Sequence, residues 1–411
     1  MSRALLLCGV VVSLLACSRD DPTLVALSTT QNDLEAGSGS FSPTNLATGQ
    51  SIFRFDTFGD ETFWTDTLHM NEVIASSVSP RTALKVGLKV DATALPDPVK
   101  RGIQDGTVDL DAPATTVTLL QLGAVVGLHG TVVRTAAGTD SLARVGVTCA
   151  FCHSTVDNSF TTGIGRRLDG WPNRDLDVGA IISLSPVVTP QQKAVYGSWG
   201  PGMYDPRFNI DGKNMPVVIP PAFGLRHVAR EIYTGDGPVS YWNAYVAITQ
   251  MHGHGDFSDP RIGVNVTNAP PDLVSAKLAP LREYQFSLRA PQPVPGTFDP
   301  QAARRGHALF QGSAGCARCH LAGSLSDVNA GKLHPAGDVG QDPAYAERSA
   351  TKLYRTTPLR GLWHAPQLKG PYFHDGSAPT LEAAVDHYVT LFKLSLTASQ
   401  KRDLVEYLKT L

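Results

Sequence analysis

The chain has 411 residues, a formal net charge of −2, 42% hydrophobic residues and 18% charged residues. A hydrophobic share this large argues against whole-chain disorder, and the balanced charge excludes a broadly basic surface for nucleic acid. The length suits two to four domains of roughly 100–200 residues each, and the six cysteines are the most informative residues.

The N-terminal residues predict export with a lipid anchor. The apolar run over 4–16 is too short to span a bilayer as a permanent helix, so it is interpreted as a signal-peptide core. It ends in L-L-A-C, which resembles the bacterial lipobox, whose cysteine (here Cys17) becomes the lipidated N-terminus. We expect a signal peptide over 1–16, a lipidated flexible tether over 17–48, and a body on the periplasmic side of the envelope, on the outer rather than the inner membrane. An ordinary signal peptide that happens to contain a cysteine is the alternative.

Two segments precede the first motif that carries chemistry. The aromatic-rich segment 52–73 lacks a clean period and is expected to pack against the first domain. The apolar run within 115–132 is expected either in the core or in a substrate-facing wall. Further along, segments 188–215 and 257–300 are rich in Pro and Gly and predict loops or linkers.

The other four cysteines form two C-x-x-C-H motifs, over 149–153 and 316–320. Two thiols three positions apart reach the two vinyl groups of one haem, and the adjacent histidine then ligates the iron. A four-thiolate zinc site would leave both histidines unexplained, a thioredoxin-like pair lacks its βαβ context, and C-x-x-C disulfides are strained. We predict two covalently bound c-type haems, attached and ligated by Cys149, Cys152, His153, Cys316, Cys319 and His320, with His153 and His320 as the iron ligands.

The chain also repeats itself around these motifs. P-x-x-G-L-x-H occurs at 221–227 and 358–364, and G-x-x-[IL]-F occurs at 49–53 and 306–310. The pair Tyr241-Trp242 is matched with Tyr372-Phe373, so each half is expected to run helix, C-x-x-C-H, P-x-x-G-L-x-H and aromatic pair.

Two helix signals mark the C-terminal half. Asp299-Pro300 predicts a helix start, and the capping-box pattern from Thr397 to Gln400 predicts the last helix. A helix on each side of C-x-x-C-H resembles class I cytochrome c. We predict a mainly α fold with two class I cytochrome c-like haem domains in tandem, over 49–300 and 301–411, with long loop insertions.

The two motifs and the C-terminal run over 357–385, with G-P-Y-F-H-D-G-S and T-L-E-A-A-V, resemble the bacterial di-haem cytochrome c peroxidase and MauG-like superfamily. Segment 53–61, F-R-F-D-T-F-G-D-E, is similar to the rubber-oxygenase-related branch of these proteins. The resemblance implies a reactive first haem and a six-coordinate second haem that passes electrons. It also implies hydrogen peroxide or O2 as oxidant and a small redox protein or other electron donor as partner.

The resemblance places the sixth ligand of the second haem on the helix after Y-F-H-D-G, where the peroxidases carry Met and MauG-like members carry Tyr. That position is Tyr388 in this chain, and no Met follows Met251. Helical spacing from Leu381 also puts Tyr388 on the core face. Tyr388 is therefore favoured, with His387 or a five-coordinate iron as alternatives.

For the first haem, Trp242 corresponds to the tryptophan that lies between the two haems and relays electrons, with a plain core aromatic as the alternative. Gln250 matches a distal Gln of the family, but the distal Glu of the peroxidases is not evident. His252, His254 or Asp256 would have to move the proton in its place, and Phe257 would cover the iron in an oxygenase-like pocket. The candidate catalytic residues are Trp242, Gln250, His254 and Phe257.

The family also implies a calcium ion between the domains, with carbonyl donors near Lys369 and Pro371, where Lys replaces the usual Thr. Further soft axial-ligand candidates are Met70, Met203, Met215 and Met251. Three functions stay open: a peroxidase or MauG-like oxidase, an oxygenase of the rubber-oxygenase type acting on an apolar substrate, and a pure electron carrier.

Overall fold

The computed structural model of the chain describes residues 41–364 and 368–411. The predicted signal peptide, Cys17 and most of the predicted tether lie outside the described residues. Helix accounts for about 41% of the structure and strand for 12%, which confirms the mainly α prediction. Within the described part of the chain, no helix has both the length and the apolar character needed to cross a membrane.

The helices follow one another in chain order. Those of the larger N-terminal part are α1 (Pro43–Phe55), α2 (Met70–Ser77), α3 (Pro80–Lys85), α4 (Asp97–Gln104), α5 (Pro113–Gln121), α6 (Ala150–His153), α7 (Val178–Ile182), α8 (Pro190–Tyr196), α9 (Phe208–Asp211), α10 (Val239–Tyr245) and α11 (Leu278–Ser287). Those of the C-terminal part are α12 (Pro300–Gln311), α13 (Ala336–Val339), α14 (Pro343–Glu347), α15 (Leu381–Leu391) and α16 (Ala398–Leu408). Single turns of π-helix cover Thr62–Thr67 and Val246–Gln250, and 3₁₀ turns include Cys316–Arg318 and Val328–Ala330.

The strands described here pair only two by two. The parallel pair is β1 (Val90–Asp91) with β5 (Ile164–Gly165). The antiparallel pairs are β2 (Leu128–Arg134) with β3 (Asp140–Val147), β4 (Ser154–Val156) with β6 (Arg167–Asp169), β7 (Met203–Tyr204) with β8 (Val217–Val218), and β9 (Asp256–Asp259) with β10 (Val264–Thr267). The main hydrophobic core runs through the N-terminal part from Ile52 to Tyr284 and takes in the apolar side chains of α5, which settles the run within 115–132 as core.

One helix crossing occurs twice in the molecule. In the C-terminal part, α12 crosses α16 at Gly306, where a Cβ atom would lie 1.9 Å from the carbonyl oxygen of Asp403, and Phe310 meets Tyr407 edge to face. In the N-terminal part, α1 crosses α11 at Gly49, where a Cβ atom would lie 2.0 Å from the carbonyl oxygen of Pro280. The bare glycine in each copy lets two backbones touch.

Two expectations from the sequence are wrong for the helices of the α1–α11 crossing. Helix α1 begins at Pro43, inside the predicted tether, because the Ser42 side chain caps it and Pro43 fits the first helical position. Helix α11 lies inside segment 257–300, for which the sequence predicts loops or linkers. Its Pro280 falls in the first turn, where proline is compatible with a helix. By contrast, the predicted caps at Asp299 and Thr397 are confirmed.

Buried ion pairs join the C-terminal part to the N-terminal part. The Arg348 guanidinium donates to both carboxylate oxygens of Asp205, at 3.1 and 3.0 Å, and to both of Asp211, at 2.7 and 2.9 Å. Arg355 pairs with Glu231 at 2.8 Å. Asp205 and Asp211 lie in the segment that follows the first motif, so ion pairs from this segment also hold the N-terminal and C-terminal parts together.

Candidate haem site

Both C-x-x-C-H motifs line a single cavity of about 1130 Å³. This volume exceeds the roughly 300–1,000 Å³ of a typical small-ligand site. The motif residues in its wall are Cys149, Cys152, His153, Cys316, Cys319 and His320. The structure therefore brings together two motifs that are far apart in the sequence.

The first motif forms the short helix α6 directly after β3. Gly127 has a φ of 84°, and a Cβ atom there would lie 2.2 Å from the Cα of Phe151, so glycine lets the chain pass close against the motif. His153 Nδ1 lies 3.1 Å from the carbonyl oxygen of Pro220. A carbonyl only accepts, so Nδ1 donates and the lone pair stays on Nε2. Burial lowers the pKa of His153 to about 4, which keeps the imidazole neutral and able to ligate a metal.

The second motif repeats this arrangement from a different local structure. It begins with a 3₁₀ turn over Cys316–Arg318, entered through Gly315 at a φ of 67°. His320 Nδ1 lies 2.9 Å from the carbonyl oxygen of Leu325 and donates to it, which again leaves the lone pair on Nε2. Burial lowers the pKa of His320 as well.

The four motif cysteines form no disulfide with one another. Burial raises the pKa of Cys149 and Cys152 to about 12 and that of Cys316 to about 11, so these groups are protonated near neutral pH. Two thiols beside a histidine whose Nδ1 donates to a backbone carbonyl fit the attachment of a c-type haem, in which the same histidine ligates the iron through Nε2.

Of the candidate catalytic residues, Trp242 and Gln250 line the cavity. Trp242 is buried on α10, with its ring edge to face with Tyr245 at 5.2 Å and the Arg207 guanidinium 5.6 Å from its centre. Its Nε1 has no partner among the described residues. Gln250 ends the π-helical turn and is held on two sides, since Oε1 accepts from the Tyr204 hydroxyl at 2.7 Å and Nε2 donates to Asn209 at 2.9 Å.

The structure sets His254 and Phe257 behind the cavity wall. His254 Nε2 lies 3.4 Å from the Thr62 hydroxyl, and the Phe257 ring packs edge to face against Tyr241 and Tyr245. The cavity wall at this point is made by His252 instead, with its ring stacked on Phe63 at 3.7 Å. His252 was one of the sequence alternatives, and its left-handed backbone (φ 67°) turns it toward Phe63.

Tyr388 lines the cavity, and His387 does not. Tyr388 lies on α15, where burial raises its pKa to about 12 and nearby Cys319 and Cys316 add to the rise. His387 Nε2 lies 3.1 Å from the carbonyl oxygen of Val339 and donates to it. His387 therefore faces the backbone of α13, while Tyr388 faces the second motif.

The methionines predicted as possible axial ligands differ in whether they line the cavity. Met251 lines the cavity, whereas Met70, Met203 and Met215 do not. At the expected calcium position, the Lys369 ammonium lies 4.5 Å from the centre of the Trp363 ring. Among the described residues, one group of three His, Cys or carboxylate ligands converges, namely Cys319, Asp327 and His334, and it includes a cysteine of the second C-x-x-C-H motif.

Tyr233 and Arg174 also line the cavity, and neither is among the residues predicted from the sequence. Y-T-G-D-G at 233–237 repeats Y-F-H-D-G at 372–376, and each segment lies just before a helix, α10 or α15. The match of Tyr241-Trp242 with Tyr372-Phe373 is therefore wrong, because Tyr241-Trp242 lies inside α10. The repeated Y-x-x-D-G was the available signal for Tyr233; for Arg174 the sequence offers none.

Three curated proteins match a part of the chain. "Methylamine utilization protein MauG" of Methylorubrum extorquens is 34% identical over 26% of this chain and 34% of its own length. "Cytochrome-c peroxidase IdrP1" of Denitromonas iodatirespirans is 29% identical and "Cytochrome-c peroxidase IdrP2" of a Pseudomonas species is 32% identical, each over 26% of this chain. The chain spans about 34–40% of the length of these relatives.

Other comparisons add little. No protein-family model matches the chain. Hydrazine synthase of Kuenenia stuttgartiensis is 19% identical and a MauG-like protein associated with microbial copper homeostasis is 21% identical, each with a TM-score of 0.33 over 48% of this chain and 72% or 74% of its own. Neither fold nor activity transfers at that score. The sequence matches confirm the resemblance inferred from the motifs: the chain has MauG and cytochrome-c peroxidases as homologues over about a quarter of its length.

Proposed function

We propose that the protein is an exported di-haem c-type cytochrome oxidoreductase of the peroxidase or MauG-like kind. The observation that carries this proposal is the shared cavity, in which His153 and His320 each offer Nε2 and are each fixed by a backbone carbonyl. Two cytochrome c-like units in tandem are supported by the repeated crossing of α1 with α11 and of α12 with α16.

The residues of the chain have separable tasks in this proposal. When bound, haem supplies the redox chemistry that takes two electrons and two protons to convert hydrogen peroxide into two molecules of water. Cys149, Cys152 and His153 would hold the first haem. Gln250, held by Tyr204, could orient peroxide through its amide, and His252, stacked on Phe63, could move a proton through its imidazole.

On the side of the second motif, Cys316, Cys319 and His320 would hold the other haem, and Tyr388 is the proposed sixth ligand. Trp242 lies in the cavity wall and is the proposed relay residue for electrons between the two sites. A small redox protein or another electron donor would deliver one electron at a time. The family's calcium ion stays a prediction.

The test uses full-length protein matured with haem. Mass measurement and optical spectra should give two covalent haems in the natural chain and one in the Cys149→Ser, Cys152→Ser double variant. The natural chain should consume peroxide in proportion to oxidation of a reduced donor, and the double variant should not. The matched double variant, Cys316→Ser with Cys319→Ser, should keep the first haem but lose efficient transfer from the donor. Two haems with no peroxide consumption for any donor would overturn the peroxidase proposal and leave an electron carrier.

One observation favours a second candidate, an oxygenase that acts on an apolar substrate. The cavity wall near the first motif is rich in aromatic rings, with Trp199 edge to face with Tyr196, Tyr204 and Phe208. Oxygen uptake that depends on an added polyisoprenoid or another alkene would favour this activity over the peroxidase. Uptake that does not depend on the alkene would reject it.

Export and lipid anchoring are also proposals, and they rest on the sequence of 1–17 alone. Labelling of growing cells with a fatty acid should mark the natural chain and not a Cys17→Ser variant. A labelled Cys17→Ser variant would reject the anchor without affecting the proposed chemistry.

A further inference from the structure

Arg174 lies in the cavity wall and forms no ion pair with any described residue. Its Nε and Nη1 atoms are buried and have no hydrogen-bond partner among the described residues, although the residue as a whole is half-buried. Burying a charged group is costly unless the group is paired and hydrogen-bonded. These two nitrogen atoms are therefore available to an anion bound in the cavity.

The other arginines of the cavity wall differ from Arg174 in this respect. Arg355 pairs with Glu231 at 2.8 Å, and Arg360 donates to the carbonyl oxygens of Gly224 and Gly323. Arg318 is exposed to solvent. Among the arginines described in this wall, only Arg174 has buried guanidinium nitrogens and no ion pair or hydrogen bond to a protein acceptor.

Arg174 lies next to the first motif in the structure and close to tyrosines of both halves of the chain. The backbone N–H of Asn173, its neighbour, donates to the carbonyl oxygen of Cys152 at 2.9 Å. The charge of Arg174 acts on the phenols of Tyr233 and Tyr372, which begin the Y-x-x-D-G segments of the two halves. Burial raises the pKa of both phenols, so they are neutral and provide no counter-charge.

We propose that Arg174 binds the propionate carboxylates of the haem attached at Cys149 and Cys152. This inference rests on the proposed haem attachment. A guanidinium presents a planar fork of N–H donors that matches a carboxylate in bidentate geometry. The buried cavity carboxylate of Asp205 is already taken by Arg348, so a carboxylate on the cofactor is the counter-charge that the site lacks.

The test is a redox titration of the haem-loaded natural chain and of three variants, together with resonance Raman bands of the propionate groups. A nearby cation favours the less positive, reduced iron, so Arg174→Gln should lower the midpoint potential of the first haem more than that of the second. The propionate bands should shift in the same variant. Arg174→Lys keeps the charge but not the fork, so the potential should fall less while the bands still shift. The control Arg166→Gln, at an exposed arginine of the neighbouring strand segment, should change neither quantity.

Unchanged potentials and unchanged propionate bands in both Arg174 variants would overturn the inference. A natural-chain potential that depends on added phosphate or acetate, and loses this dependence in Arg174→Gln, would assign Arg174 to a free anion and also overturn it. If Arg174→Gln does not mature, Arg174→Lys alone decides through the Raman shift. The covalent haem count separates this failure from failure of the proposed function, because a natural chain without haem at Cys149 and Cys152 would refute the latter.

Discussion

Gly306 on α12 rests directly on the carbonyl oxygen of Asp403 on α16, where a Cβ atom would approach to 1.9 Å. Gly306→Ala should therefore separate the two helices and lower the free energy of unfolding by about 1–3 kcal/mol, the usual range for overpacking. The matched change Gly49→Ala, with its Cβ atom 2.0 Å from the Pro280 oxygen, should act alike at the α1–α11 crossing.

Thermal unfolding of the haem-loaded protein measures both effects. The control is Gly337→Ala on α13, where nothing lies within 4 Å of the new methyl group, so stability should be unchanged or slightly higher. Equal melting temperatures for all three variants would contradict the close contact.

Removing Arg348 should strongly destabilise the protein. Asp205 is 1% exposed, and loss of the guanidinium would leave its carboxylate buried without a counter-charge. Such losses cost about 3–5 kcal/mol, so Arg348→Met should lower stability by that amount in chemical denaturation. The double variant Arg348→Met with Asp205→Asn should recover part of the loss, since the buried charge is gone. A double variant that is destabilised by the sum of both single changes would argue against coupling of these two residues.

Asp60 should make stability fall as the pH rises. Its carboxyl is fully buried, accepts from the Val147 N–H at 3.2–3.3 Å, and forms no ion pair with the described residues. Burial raises its pKa well above the usual value, and the charge of Glu61 adds to the rise. Because the folded pKa exceeds the unfolded pKa of about 4, the proton stabilises the fold below about pH 4. That stabilisation is lost as the pH rises through the folded pKa.

Asp60→Asn should remove this pH dependence. Melting temperatures measured from pH 4 to pH 8 should decline less in Asp60→Asn than in the natural chain. Asp66→Asn, at an exposed carboxylate paired with Arg144, is the control and should leave the slope unchanged. Parallel curves for the natural chain and Asp60→Asn would show that Asp60 is not the group responsible.

In the proposed di-haem protein, Tyr388→Phe should change the optical and EPR spectra of the second haem and leave those of the first haem unaltered. The change removes the one phenol oxygen that α15 presents to the cavity beside the second motif, while the ring stays in its aromatic contacts with Phe373 and Phe392. His387→Gln is the matched control, because His387 donates to the Val339 carbonyl outside the cavity. Spectral changes in His387→Gln instead would reassign the ligand.

The parts of the site that depend on local sequence were predictable. Two C-x-x-C-H motifs fix the thiols and histidines by spacing alone, and Asp299 and Thr397 mark helix starts because capping is a local interaction. The helical period also placed Tyr388, rather than His387, on the inner face of α15, and the structure has it lining the cavity.

Features that depend on distant contacts were not predictable. The sequence predicts the start of α1 too late and a loop in place of α11, because these helices are stabilised by packing on each other rather than marked by a strong period. The choice between His252 and His254 at the cavity wall depends on a left-handed turn and a stack on Phe63 that leave no pattern in the sequence. Arg174 stands out only when its lack of a partner can be seen.

The ion pairs of Arg348 and Arg355 have a consequence for timing as well as for stability. Electron tunnelling falls steeply with distance, so two redox centres in separate halves of a chain exchange electrons at a rate set by whatever holds those halves apart. In the proposed di-haem protein, the buried guanidinium–carboxylate contacts of Arg348 and Arg355 would help to set that distance. The residues that hold the two parts of the chain together would then also influence the rate of electron transfer between the haems.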